Sequence, residues 1–213
     1  MNSDIKLISL DLDGTLIKNS WEIFYSRVDE KIGKTEEIKS LVNKYNSGTL
    51  SEYEFMKKSY GLWHGVKKDI FLDIINDIEL DGKFYNAINT LKDLNLDVAI
   101  VTGGFDLYVN HVTKDLEVDV YCGTKSNFVN GILFNIDITT KTELFERMVK
   151  DKGVSYNEVI HVDDGTNGIP LFKRCAYGIA VNTENINVIK NADIFLDDIE
   201  DLVPTIKHLN LKK

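Results

Sequence analysis

Proline is scarce in this chain: Pro170 and Pro204 are the only two in 213 residues, and the sequence has no internal repeat and no low-complexity tract. Cysteine is equally rare. Cys122 and Cys175 lie far apart and outside any Cys-x-x-Cys or Cys/His cluster, so neither a disulfide framework nor a zinc site is suggested. Both read as buried small apolar residues. No apolar run approaches the roughly 20 residues of a membrane span, and the amino terminus lacks the basic, apolar and small-residue order of a signal peptide. The expectation is a cytoplasmic protein. Positive charge is short as well, with 25 Lys and Arg against 34 Asp and Glu, a formal charge of −9. That balance argues against nucleic acid or an anionic membrane as the main partner, since both call for a basic surface. What remains, 43% hydrophobic and 28% charged residues, is the composition of a globular protein that can bury a core, and the length suits one domain or one domain with a small insertion.

Short apolar runs recur, each ending in a polar turn. Ile5 to Leu10 stops at Asp11-Leu12-Asp13-Gly14-Thr15, Val98 to Val101 at Thr102-Gly103-Gly104, Val159 to Val162 at Asp163-Asp164-Gly165, and Ala176 to Val181 at Asn182. Between them lie segments with helical spacing, such as Leu144, Phe145, Met148 and Val149. Strand, turn, helix, strand is the order of a parallel sheet covered by helices, whose ligands bind beyond the carboxyl ends of the strands. One piece departs from this alternation: Asn130-Gly131 between two β-forming stretches predicts an antiparallel hairpin, because both turn residues must take positive φ. From about Lys18 to Asp81 the spacing is helical throughout, with helices expected over Ser20–Ile32, Thr35–Tyr45, Ser51–Tyr60 and Lys67–Ile78. A helical insertion of that size, beside the first polar turn, would cap the sheet's carboxyl edge.

The polar turns hold the residues able to do chemistry. In Asp11-x-Asp13 one carboxylate could bind a cation and attack while the other moves protons; the plain alternative is an acidic turn that solvates the strand end. A calcium loop fits poorly, because Leu16 stands where the EF-hand needs its glycine. Thr102-Gly103-Gly104 offers a hydroxyl and free amides at a helix start, a phosphate cradle or simply a glycine turn. Lys141 opens a helix, where a cation opposes the dipole; alone, it reads as a surface lysine. Adjacent Asp163 and Asp164 suggest a bound cation or a hydrogen-bond network, against a polar turn. His64, His111, His161 and His208 have no mutual metal spacing and receive no role, His161 being expected in the interior. The aromatics of the insertion, Trp21, Phe24, Tyr25, Tyr53, Phe55, Tyr60 and Trp63, read as the core of a small helical bundle ahead of a substrate box.

Taken in order, these four motifs resemble those of the haloacid dehalogenase-like superfamily, and its phosphoserine phosphatase-like branch above all. Val101-Thr102-Gly103-Gly104-Phe105-Asp106 is similar to that branch's Ser-Gly-Gly-Phe stretch, Asp164-Gly165-Thr166-Asn167 to its Asp-Gly-Ala-Asn, and the 23 positions from Lys141 to Asp164 suit it. The resemblance implies an α/β fold: a Rossmann-like, mainly parallel sheet flanked by helices, with a core domain over 1–17 and 82–213 and a helical cap over 18–81. It implies a magnesium-dependent phosphatase that hydrolyses a small phosphorylated metabolite through an aspartyl phosphate. Asp11 would be the nucleophile and Asp13 the proton-transferring acid and base. Thr102, Gly103, Lys141 and Asn167 would hold the phosphate; Mg2+ would be bound by the Asp11 carboxylate, the Asp13 main-chain carbonyl and the Asp164 carboxylate.

The chain departs from the branch at three places. Gly168 stands where a second acid usually follows the one matched by Asp164. Ser20 stands near the acid that receives a serine ammonium, and Ser59 near the arginine for its carboxylate, with Lys57 or Lys58 as the available replacements. Asp163 is the candidate to replace the missing acid, on the expectation that the strand ends at Val162 and the chain is already turning there; phosphoserine should not be markedly preferred. Alternatives at this point are a phosphotransferase or mutase of the same superfamily and a regulatory protein that binds phosphate without turnover. A two-component receiver is shorter and has no large insertion.

Overall fold

A computed structural model describes residues 5–80, 82–94 and 96–210, with the side chains of 82–84 and 210 left aside. The outermost parts of the expected core, 1–4 and 211–213, and Asp81 at the end of the expected cap lie outside the described residues. Six strands form one parallel sheet: β1 (Leu7–Leu10), β2 (Asp97–Thr102), β3 (Asp119–Cys122), β6 (Val159–Asp163), β7 (Tyr177–Val181) and β8 (Ile194–Leu196), in spatial order β3-β2-β1-β6-β7-β8. The chain winds outward from β1 in one direction through β2 and β3, then returns beside β1 as β6 and winds the other way. The reversal point therefore lies between β1 and β6, where open α/β sheets place their ligands.

Alternation along the strands explains the layers. Ile8, Leu10, Ile100, Ile160 and Val162 point into the larger apolar cluster, which also takes side chains of α5 (Gly82–Lys92), α6 (Asp106–Thr113) and α10 (Leu202–Asn210). Leu7, Ala99, Val101 and Val159 point the opposite way, into a cluster with Leu144, Phe145, Met148 and Val149 of α7 (Lys141–Lys152) and Leu171 of α8 (Ile169–Phe172). The parallel sheet with helices on both faces is the expected one. Two of its strands had no sequence forecast, β3 and β8, which are four and three residues long and lie at the sheet's edges.

The hairpin formed by β4 (Thr124–Val129) and β5 (Ile132–Ile138) is antiparallel, and its turn has Asn130 at φ 51° and Gly131 at φ 74°. Both residues are left-handed, as the two-residue turn demands. Between β1 and α5 the chain is helical: a π-helical turn (Trp21–Tyr25) continues into α1 (Ser26–Lys31), followed by α2 (Thr35–Asn46), α3 (Glu52–Gly61) and α4 (Lys68–Asn76). This helical block is tied to the hairpin by main-chain hydrogen bonds, Gly65 N–H to Leu133 carbonyl at 2.9 Å, Lys68 N–H to Gly131 carbonyl at 2.8 Å and Leu133 N–H to Val66 carbonyl at 2.8 Å. The first expected helix, Ser20–Ile32, is helical without interruption from Ser20 to Lys31 but opens with a π-helical turn before the α-helical register. Among the described residues no helix is long and apolar enough to cross a membrane. The two thiols are half-buried instead of fully buried.

Candidate active site

The turns after β1, β2 and β6 and the start of α7 converge on one cavity of about 390 Å³, whose other wall is the helical block. On its floor Lys141 is 1% exposed, with Nζ 2.9 Å from Asp11 Oδ1 and 2.7 Å from Asp163 Oδ2. The surface reading of this lysine is therefore corrected. Thr140 caps α7 by accepting from the Glu143 amide while Glu143 accepts from the Thr140 amide, which fixes the first turn and the root of Lys141. Burial works to lower the pKa of this ammonium, but Asp11 and Asp163 outweigh burial and raise it above the ordinary value.

Asp163 also differs from expectation. The strand does not end at Val162: β6 includes Asp163, paired with Ala180. Asp163 consequently shares a face with His161 and with the α7 side of the sheet. That is the face on which Lys141 enters and from which Asp11, two residues beyond Ser9, also projects. His161 closes the rear, with Nε2 3.1 Å from Asp163 Oδ2 and Nδ1 3.1 Å from the Ser9 hydroxyl. Burial lowers the His161 pKa, so a neutral ring with its hydrogen on Nε2 satisfies both partners. Burial works against the Asp163 anion, but Lys141 and His161 hold its carboxyl down at about 2.

Asp164 begins the turn and points toward the loop after β1. Its Oδ1 accepts from the Thr15 hydroxyl at 3.0 Å. Gly14 has φ +81°, and a Cβ there would stand 2.3 Å from Asp164 Oδ2, so glycine is required twice over, for its backbone and for the carboxylate's approach. Burial, then the charge of Asp163, raises the Asp164 carboxyl to about 7. Carboxylate oxygens of Asp11, Asp163 and Asp164 lie within 4.8 Å of one another. Against these three acids stands one lysine, and Asp11 too is pushed well up, first by burial and then against the pull of Lys141. Hard oxygen donors that repel one another and lack one neutralising charge pair are a fitting set for a divalent cation.

Asp13 stands beside this cluster. Its Oδ2 accepts from the Tyr25 hydroxyl at 2.8 Å and lies 3.5 Å from the Thr102 hydroxyl; its Oδ1 is buried with no partner. Burial raises its pKa, chiefly against the Tyr25 hydrogen bond and the charge of Lys141. Thr102 Oγ1 accepts from the Gly104 amide at 3.0 Å, and a Cβ on Gly104 would meet Asp13 Oδ2 at 2.8 Å. The Gly103 carbonyl accepts from the Tyr60 hydroxyl at 3.0 Å. Asn167 reaches Glu52 Oε1 of α3 at 3.5 Å, and the same oxygen accepts the Lys141 amide at 3.1 Å.

A family model for haloacid dehalogenase-like hydrolases matches residues 5–175. The chain belongs to that family. Within it the chain is phosphoserine phosphatase-like: a phosphoserine phosphatase of Methanocaldococcus jannaschii is 26% identical over 215 aligned residues, 97% of this chain and 100% of that protein. The chain spans about half the length of the phosphoserine phosphatase of Archaeoglobus fulgidus, 25% identical over 87% of this chain and 55% of that one. The solved structure of a phosphoserine phosphatase with an analogue of its phospho-aspartyl intermediate shares the fold, with a TM-score of 0.81 over 95% of this chain and 99% of that one at 24% identity.

In this haloacid dehalogenase-like hydrolase several site residues were given no specific role from the sequence. Tyr25, Tyr60 and Glu52 reach the cavity from the helical block, and Thr15 and His161 orient acids from behind. For Glu52 the sequence does hold a cue, the Ser51-x-x-Glu54 capping box that begins α3 and so places Glu52 at its first position. Two further readings are corrected. Lys57 and Lys58 are exposed and outside the cavity, so neither replaces the branch's arginine. The aromatics of the insertion are not only bundle core: Trp21, Tyr25, Phe55, Tyr60 and Trp63 line the cavity while several of them also pack on one another.

Proposed function

We propose that this hydrolase is a magnesium-dependent phosphatase that cleaves a small-molecule phosphomonoester through an aspartyl phosphate, with residues 1–17 and 82–213 as its core and 18–81 as its cap. The observation that carries the proposal is the pairing of Asp11, held against Lys141, with Asp13, which has one oxygen on Tyr25 and the other unpartnered. A protein that merely binds phosphate has no use for a second carboxylate kept protonatable by burial.

Asp11 attacks phosphorus and the bond to the alcohol oxygen breaks, while Asp13 gives that oxygen its proton. Water then attacks the same phosphorus. Asp13 takes a proton from the water, the bond to Asp11 breaks, and free phosphate leaves. Lys141, Thr102 and the Gly103 amide stabilise the charge on the non-bridging oxygens, with Asn167 at the rim. Mg2+, held by Asp11, Asp164 and the Asp13 main-chain carbonyl with Asp163 beside them, would screen the repulsion between carboxylate and phosphate.

Asp163 fills the role left open at Gly168. A Cβ at position 168 would lie 2.5 Å from Asp163 Cγ, so the side chain of residue 163 already occupies that volume. Hydrolysis of 4-nitrophenyl phosphate tests the proposal. Turnover should require Mg2+, be abolished by a chelator and fall by several powers of ten in Asp11→Asn, since an amide is no nucleophile. A folded Asp11→Asn protein working near the wild-type rate would overturn it.

A further inference from the structure

Above the phosphate end, the cavity has an unusual charge pattern. Among the described residues Lys141 is the only cation that lines it, and its Nζ is engaged by Asp11 and Asp163. Among its described residues, the wall contributed by the helical block carries two acids, Asp29 and Glu52, and no base. Asp29 belongs to α1 and is 1% exposed; its Oδ1 accepts from the Trp63 indole at 2.8 Å, and its Oδ2 is buried without a partner. An unpaired buried carboxylate oxygen costs free energy unless something positive meets it. Burial, opposed only by the Trp63 hydrogen bond, holds this carboxyl up at about 6.

Aromatic rings line the same cavity, and one of them, Trp63, holds that acid through its indole N–H. Trp21, Tyr25 and Trp63 stack in series, with centroids 5.9 and 6.2 Å apart and planes within 24° of parallel, and Tyr45 stacks on Phe55 at 4.7 Å. Trp21 ends the series, 38% exposed, and lines the cavity with the others. Faces of Trp and Tyr attract an ammonium group, and more so a methylated one that sheds its water easily. A substrate carboxylate, in contrast, would meet two acids and no free base.

Resting on the phosphatase reading above, we infer that the substrate is the phosphomonoester of an alcohol bearing an ammonium or methylated ammonium head and no carboxylate, its cation seated between Asp29 and the aromatic wall headed by Trp21. The phosphate and the cation of one ligand then each find an oppositely charged partner in the same cavity, Lys141 for the first and Asp29 for the second.

Binding separates this inference from the catalytic reading. Calorimetry on the Asp11→Asn protein with Mg2+ compares phosphocholine, phosphoethanolamine, phosphoserine and 3,3-dimethylbutyl phosphate, the last a neutral copy of phosphocholine's shape. Phosphocholine or phosphoethanolamine should bind about tenfold or more tightly than both the neutral copy and phosphoserine. In wild type the same order should hold in kcat/KM. Asp29→Asn keeps the oxygen that accepts from Trp63 and should reduce the preference for phosphocholine over its neutral copy at least fivefold. Trp21→Leu, at a partly exposed position, gives the same readout if Asp29→Asn fails to fold. Equal binding of the neutral copy, or phosphoserine as the tightest ligand, would overturn the inference whatever the turnover. Absence of 4-nitrophenyl phosphate hydrolysis alongside a preserved cation preference would overturn the catalytic reading and, with it, the claim that these esters are substrates, while the cation-binding seat at Asp29 would stand.

Discussion

At position 168 the chain has room for a hydrogen atom and nothing more, because Asp163 lies across it. Gly168→Asp alone should therefore damage the site it nominally repairs. Overpacking of this kind costs about 1–3 kcal/mol, and the displaced Asp163 should raise the Mg2+ requirement of 4-nitrophenyl phosphate hydrolysis about tenfold. Combining it with Asp163→Gly removes the clash, so the double variant should be more active than either single one; a double variant no better than Gly168→Asp would reject the exchange. Tyr25→Phe removes one charge-assisted hydrogen bond from Asp13 and should lower kcat by about one to two powers of ten with little change in KM. The acids themselves were legible because an apolar run that stops at Asp-x-Asp or Asp-Asp is a local signal. Tyr25 and His161 were not, since each matters only through a partner set by the tertiary fold, and the direction of Asp163 depended on one residue of strand length.

Elements were legible in proportion to how much local chemistry specifies them. The Asn130-Gly131 turn announces itself through two positive φ angles, and α7 through the reciprocal bonds of Thr140 and Glu143. Strands β3 and β8 carry no such mark: Asp119–Cys122 and Ile194–Leu196 become strands by pairing at the edges of a sheet that already exists. The π turn at Trp21–Tyr25 was hidden for a similar reason, because its helical pattern is unbroken in sequence. Since α7 also carries Lys141 on its first turn, Thr140→Ala should do two things. It should lower stability to urea by about 1 kcal/mol, and it should raise KM for an aryl phosphate; an unchanged KM would show that the ion pairs alone hold the lysine.

The pH dependence of Asp29 reaches the stability of the whole fold. A carboxyl near 3.9 in the unfolded chain and about 6 in the folded one binds its proton more tightly when folded. The associated stability is complete below about pH 4 and is lost as pH rises through 6. Asp29→Asn does not titrate, so it should melt above wild type at pH 7.5, with the gap closing toward pH 4; a gap independent of pH would show that burial does not strain this carboxylate. Such a residue weakens the empty protein at neutral pH, a cost repaid when a cation is bound.

Consider finally how the helical block is stitched to the sheet. Tyr25 of the π turn holds Asp13, Tyr45 of α2 accepts from Thr166, Tyr60 of α3 holds the Gly103 carbonyl, and Glu52 of α3 takes the Lys141 and Asn167 amides. Every loop that carries a motif is thereby gripped by the block that also shapes the far end of the cavity. In evolutionary terms the two are not interchangeable cassettes. A block grafted onto this sheet in pursuit of a new substrate would keep Asp13 steadied only if it brought a hydroxyl to the place of Tyr25, so the wall that selects the ligand and the contact that orients the acid are changed by the same exchange.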